Sequence, residues 1–203
     1  MKPGVTLETE RLVIRHWARS GEDRAFFHLI MSNERGRRFY PDRKTREESD
    51  DLIEKIIGWQ DDGELTWAVA CRKDTGQRLG FTGLAPVTLD MPFAPTVEIG
   101  WQYDPAVWGN GYATEAGAEL LRHAFETLDI PEIVAFAVED NTASTAIMAR
   151  IGMRHCPDET FIHPKVPDTH QQLKRHVLWR ITADEWKRKP LTFAGGVRKL
   201  SRN

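Results

Sequence analysis

The segment Val97-Glu98-Ile99-Gly100-Trp101-Gln102-Tyr103, followed by Asp104-Pro105-Ala106-Val107-Trp108-Gly109-Asn110-Gly111-Tyr112-Ala113-Thr114-Glu115-Ala116, constrains this chain more than any other. The first run reads as a strand, Asp104-Pro105 breaks it, and a glycine-bearing turn leads directly into residues spaced for a helix. Glycines at 109 and 111 allow positive φ and close approach of a ligand to the backbone. The first N–H groups of a helix have no intrahelical partner, so those from Gly109 to Thr114 can converge on a diphosphate, assisted by the helix dipole. A tight strand-helix connection with no ligand would use the same residue types.

The flanking sequence places this unit in a mixed α/β fold. Leu7 to Arg15 reads as a first strand, and Ser20 offers an N-cap for a helix with Ala25, Phe26, Leu29 and Ile30 on one face. Thr45-Arg46-Glu47-Glu48 is a capping-box pattern ahead of Leu52, Ile53, Ile56 and Ile57. Strands are expected at Leu65 to Arg72, Arg78 to Val87 and Thr96 to Tyr103, which together suggest an antiparallel meander. Tyr112 to Leu128 reads as a helix, Ile133 to Val138 as a buried strand, and Asn141 to Ile151 as a second helix closed by Gly152. Two last strands near His155 to His163 and Arg175 to Ile181 precede a short helical turn, and Pro190 to Asn203 carries little apolar material.

With 203 residues, one domain and a tail are expected. No apolar run approaches bilayer length, so a soluble protein with no membrane partner is the expectation. The opening Met1-Lys2-Pro3-Gly4-Val5-Thr6 leads into charged residues, which points to the cytoplasm. A formal charge of −2 argues against nucleic acid, although Arg35, Arg37, Arg38, Arg43, Lys44 and Arg46 form one local basic run able to meet an anionic ligand or simply to face solvent. Cys71 and Cys156 make no metal-binding pattern, and no metal is expected.

The ordered set Trp108-Gly109-Asn110-Gly111-Tyr112-Ala113-Thr114-Glu115-Ala116, an apolar strand, then Asn141-Thr142-Ala143-Ser144 opening a helix that ends in Ile151-Gly152-Met153 resembles the acetyl-CoA core of the GNAT superfamily. The opening Leu7-Glu8-Thr9-Glu10-Arg11-Leu12-Val13-Ile14-Arg15 and the ending His176-Val177-Leu178-Trp179-Arg180-Ile181 are similar to the ribosomal-protein alanine N-acetyltransferase branch, so the domain is expected over residues 7–187 with a tail at 188–203. The resemblance implies a central, mostly antiparallel twisted sheet of about six to seven strands, helices on both faces, and strands splayed at the acetyl-CoA site by a bulge. It also implies acetyl-CoA contacts from Trp101, Gln102, Tyr103, Trp108, Gly109, Asn110, Gly111, Tyr112, Ala113, Thr114, Asn141 and Ser144. The superfamily often has Gln or Arg where this chain has Ala106, and a tyrosine after the second helix where it reads Gly152-Met153-Arg154-His155-Cys156. In the alanine-acetyltransferase branch a serine in the Asn-x-x-Ser turn is the suggested acid, and Ser144 occupies that place.

Acetyl transfer needs an uncharged amine, and Glu98 is the candidate base because partial burial on a central strand raises a carboxyl pKa toward neutrality. His155 is the reserve. The acceptor is expected to be a protein N-terminus or a small-molecule amine, taken by a monomer or homodimer. Two rivals remain at this point. One is a GNAT-fold module that binds acyl-CoA without turnover. The other is a dinucleotide-dependent oxidoreductase using Glu139 or Asp140 on a ribose, although the third glycine of that fingerprint is missing.

Overall fold

The structure, a computed structural model, describes residues 6–188. Eight strands form one sheet in the order β1-β2-β3-β4-β5-β6-β8-β7, where β1 is Leu7–Glu8, β2 Leu12–Arg15, β3 Trp67–Arg72, β4 Arg78–Val87, β5 Thr96–Tyr103, β6 Glu132–Val138, β7 Arg154–Ile162 and β8 Arg175–Thr182. The helices are α1 (Gly21–Ser32), α2 (Arg46–Asp61), α3 (Tyr112–Glu126), α4 (Thr142–Arg150) and α5 (Ala183–Arg188). Among the described residues no helix is long and apolar enough to cross a membrane.

The count of eight, against six to seven expected, follows from the first segment. Leu7 to Arg15 is a hairpin instead of one strand: Leu7 pairs with Ile14 and Glu8 with Val13. Thr9 makes the turn, its N–H donating to the Leu12 carbonyl at 2.9 Å and its Oγ1 accepting the Leu12 N–H at 2.9 Å. A threonine side chain that bonds nearby backbone competes with a continuous ladder.

The caps hold as the sequence predicts. Ser20 Oγ accepts the Asp23 N–H, and Thr45 and Glu48 make a reciprocal capping box. Strand alternation then divides the core. Ala68 and Ala70 of β3, with Ile99 and Tyr103 of β5 and Ile133, Ala135 and Ala137 of β6, join the layer under α3 and α4. Val69 and Cys71 turn to the opposite face, where α1 and α2 contribute Phe27, Met31, Ile53, Ile56 and Ile57. Helices therefore cover both faces, and Val134, Leu178, Phe93 and Phe161 fill a third cluster beneath the β4–β5 loop.

The tail expected at 188–203 lies outside the described residues beyond Arg188.

Candidate acetyl-CoA site

All neighbouring strands are antiparallel except β5 and β6, which run parallel and pair through Val97–Ile133 and Glu98–Val134. Beyond Glu98 the two part company. β5 stays with β4 as far as Gly80–Tyr103, and β6 stays with β8 as far as Val138–His176. A wedge opens between their C-terminal halves. The expected bulge in β5 is not found: its register with β4 is unbroken from Val87–Thr96 to Gly80–Tyr103, so the splay comes from lost pairing with β6.

The Asp104 N–H donates to the Leu79 carbonyl at 2.9 Å, which fixes the phase of the β4–β5 ladder. Antiparallel bonding alternates by residue, so the backbone groups of Gly100 and Gln102 face β4 and those of Trp101 and Tyr103 face the wedge. The Tyr103 carbonyl is taken by the Trp108 indole Nε1 at 2.9 Å, leaving the Trp101 and Tyr103 N–H groups directed into the opening.

Both strands end at helix N-termini that flank the wedge. On one side a 3-10 turn at Pro105–Val107, capped by Asp104 Oδ1 on the Ala106 N–H at 3.0 Å, delivers Trp108 and the glycines. Gly109 has φ of 82° and Gly111 78°, and a Cβ at Gly109 would meet nothing within 4 Å. Gly111 is the N-cap of α3 and supplies no side chain to its N–H groups. An open surface, positive φ and an uncapped helix start fit a diphosphate group. On the other side Asn141 caps α4, its Oδ1 accepting the Ser144 N–H at 3.2 Å, while its Nδ2 and the Ser144 hydroxyl are not engaged by described residues.

Trp101 and Tyr103 reach the wedge by backbone alone, whereas the expected Gln102 contact is not made, since its backbone groups face β4 and its side chain faces α1. The Tyr103 ring is buried under α3, where its hydroxyl has no hydrogen-bond partner among the described residues and burial pushes its pKa far up. Gln102 turns to the other face, buried, with Nε2 donating to the Ile30 carbonyl at 3.3 Å. The Trp101 side chain packs against the α3 layer. Tyr112 lies beneath the Arg11 guanidinium at 4.8 Å and lines a recess of about 370 Å3 with Arg11, Arg72 and Lys73, away from the wedge. Asn110 closes its own turn, with Nδ2 donating to the Val107 carbonyl at 2.9 Å. Ala113 and Thr114 stand half-buried in the first turn of α3.

One support of the turn was not singled out from sequence. Glu115 Oε1 accepts the Thr9 hydroxyl at 2.5 Å and the Arg11 N–H at 2.9 Å, and Arg11 Nη1 donates to the Asn110 carbonyl at 3.0 Å. The β1–β2 hairpin thereby clamps the start of α3. The pairing joins residues more than a hundred positions apart, so no local pattern announces it.

Glu98 lies on the opposite face of β5 from Trp101 and Tyr103, together with Gly100 and Gln102. A Cβ on Gly100 would come within 2.9 Å of the Trp67 indole, so that ring lies on the strand beside Glu98. Burial pushes the Glu98 carboxyl up to about 7, with Lys165 of the β7–β8 loop pulling the other way, and the Tyr40 hydroxyl is raised chiefly by burial, with Arg37 lowering it and the Glu98 charge adding to the rise. Trp67, Tyr40 and Lys165 thus gather around the carboxyl from three separate segments. His155 does not join them. It is exposed on the edge strand β7, stacked on Trp179 at 5.1 Å, in register with Ala135 of the α3 layer. That is the other face of the sheet and three strands away, roughly 14 Å at ordinary strand spacing.

An open wedge between β5 and β6, an uncapped helix start preceded by two positive-φ glycines, and a carboxyl raised to about 7 on one face of β5 are on one molecule. The sequence matches the Acetyltransferase (GNAT) domain over residues 11–154. This chain belongs to the GNAT acetyltransferase family. A GNAT acetyltransferase domain goes against the dinucleotide-dependent oxidoreductase reading. Among curated relatives, FsC-acetyl coenzyme A-N(2)-transacetylase of Aspergillus fumigatus is 35% identical over 117 residues, covering 56% of this chain and 49% of the relative. This chain thus spans about half the length of that relative. Mycobacterium smegmatis RimJ, solved in complex with CoA-disulfide, superposes with TM-score 0.70 at 20% identity, covering 91% of each chain. Ribosomal-protein-S5-alanine acetyltransferase from Vibrio fischeri superposes at 0.67 and 17% identity, covering 90% of this chain and 98% of that one. At such identities the two structures establish the shared fold.

Proposed function

We propose that this GNAT member transfers the acetyl group of acetyl-CoA to a primary amine, on a protein N-terminus or a small molecule, by direct attack with both substrates bound. The observation that carries the reading is the wedge itself. It has backbone donors on one strand, two helix N-termini at its mouth, and Glu98 on the acceptor face. The relative named as an N(2)-transacetylase supports an amine acceptor.

Acetyl-CoA supplies an acyl group already activated as a thioester. The N–H groups from Gly109 to Thr114 hold its diphosphate, Asn141 Nδ2 bonds the pantetheine arm, and the Trp101 and Tyr103 N–H groups serve the pantetheine amide and thioester oxygen. Holding amine and thioester together removes much of the entropic barrier. Glu98 takes one proton from the acceptor ammonium through water, and the Ser144 hydroxyl passes a proton to the departing thiolate as it recovers one from the newly acylated nitrogen.

The test is a screen of amine acceptors with acetyl-CoA, following thiol release, alongside Gly111→Val. A β-branched residue at φ of 78° is strained. The variant is expected to lose CoA affinity at least about tenfold while its fold is retained. Unchanged affinity in a folded variant removes the phosphate-turn assignment, and absence of transfer to every amine removes the proposed reaction.

A further inference from the structure

The basic run between α1 and α2 is not solvated evenly. Arg37 turns inward, buried, with Nη2 on Asp42 Oδ1 at 2.9 Å and Nη1 reaching Gln102 Oε1 at 3.5 Å. It anchors the loop over the Glu98 face of β5. Arg35 and Arg38 of the same loop turn outward: Arg35 lies over the Trp108 indole at 5.1 Å from its centroid, and Arg38 stands between the Phe39 ring at 4.8 Å and the Trp108 ring at 5.6 Å.

Trp108 is 37% exposed and anchored by its Nε1 to the Tyr103 carbonyl, so its ring stands at the mouth of the wedge. Arg35 and Arg38 are exposed and have no acidic partner among the described residues, whereas Arg11, Arg15, Arg72, Arg78, Arg122 and Arg180 are each ion-paired. Two guanidinium groups gathered on one ring, in a chain of net charge −2, repel each other unless an anion joins them. A guanidinium stacked on an indole keeps its N–H edges free for a carboxylate or phosphate.

We infer that Arg35 and Arg38, held on Trp108, bind an anionic group carried by the acceptor, and so select amines bearing a carboxylate or phosphate. This rests on the proposed amine acetylation. Arg37 attaches the loop to the acceptor face, which assigns the pair to the acceptor instead of the cofactor. From Trp101, where the thioester is addressed, to Tyr103 beneath Trp108 is two residues of strand, about 7 Å. With the reach of the guanidinium groups, the anion lies about 10 Å from the amine, the length of a tripeptide.

Because Arg35 and Arg38 are exposed and unpaired, Arg35→Gln with Arg38→Gln leaves the fold intact, which circular dichroism and thermal unfolding check. Trialanine and trialanine amide are titrated calorimetrically into the CoA-saturated protein, and CoA and dephospho-CoA into the free protein. The wild type is expected to prefer trialanine by about fivefold, the scale of two exposed charge pairs, and the double variant to bind both peptides within about twofold. The ratio of CoA to dephospho-CoA affinity is expected to be the same in both proteins. No preference in the wild type, or the same preference in the variant, overturns the inference. So does a change confined to the CoA pair, which would give the anion to the cofactor. Peptide binding is read without turnover, so failure of acetyl transfer is a separate result.

Discussion

At the residue scale the account turns on Glu98. Its carboxyl is held at about 7 chiefly by burial, so the folded state keeps a proton that the unfolded chain releases near the ordinary value of 4.5. The folded form binds more protons between those values, and its stability therefore falls as pH rises from 4.5 through 7. The cost at pH 8 is at most ~3 kcal/mol by the standard conversion. Glu98→Gln removes it, and thermal unfolding is expected to shift up by several degrees at pH 8 and by nothing measurable at pH 4. A glutamate that contributes to the fold through an ion pair would give the opposite sign. The burial of Glu98 was legible in the sequence because the residue alternates with Val97 and Ile99 on a central strand. Tyr103 ends β5 and Tyr112 opens α3, as the strand and helix read from sequence have them, but sequence position does not give side-chain direction, and the rings of Tyr103, Trp108 and Tyr112 serve the core, the basic loop and the hairpin.

At the scale of elements, α1 is fixed to the sheet by Asp23. Burial works to raise its pKa, yet hydrogen bonds from Arg15 at 2.7 Å, the Ala18 N–H at 2.8 Å and Arg78 at 2.6 Å outweigh it and hold the carboxyl at about 2. This stabilisation is present above the ordinary carboxylate range and is lost as pH falls through about 2. Asp23→Asn leaves two guanidinium groups short of their partner and is expected to cost about 3–5 kcal/mol, read by denaturant unfolding at pH 7. A loss below about 1 kcal/mol would mean the pair is replaced by solvent. The caps and the two helix starts were readable because each is local chemistry. The wedge was expected from resemblance, but its cause was not readable, because strand pairing is nonlocal and nothing in β5 alone records where β6 leaves it. The split of Leu7 to Arg15 into a hairpin depended similarly on one threonine side chain.

At the scale of the whole molecule, a sheet that is antiparallel everywhere except at β5–β6 places two helix N-termini at one opening, with the Trp101 and Tyr103 N–H groups facing that opening and the Glu98 side chain on one face of the same strand. The most direct measurement is the pH dependence of kcat/KM for the wild type, Glu98→Gln and Lys165→Ala, with the titration of the acceptor amine divided out. The wild type is expected to rise through about 7 as Glu98 loses its proton. Lys165→Ala should move that limb to higher pH, since the lysine holds the carboxyl down. Glu98→Gln should lose the limb and at least about a hundredfold of turnover, with CoA affinity unchanged. Near-normal turnover by a stable Glu98→Gln protein, with the limb still in place, would contradict the account.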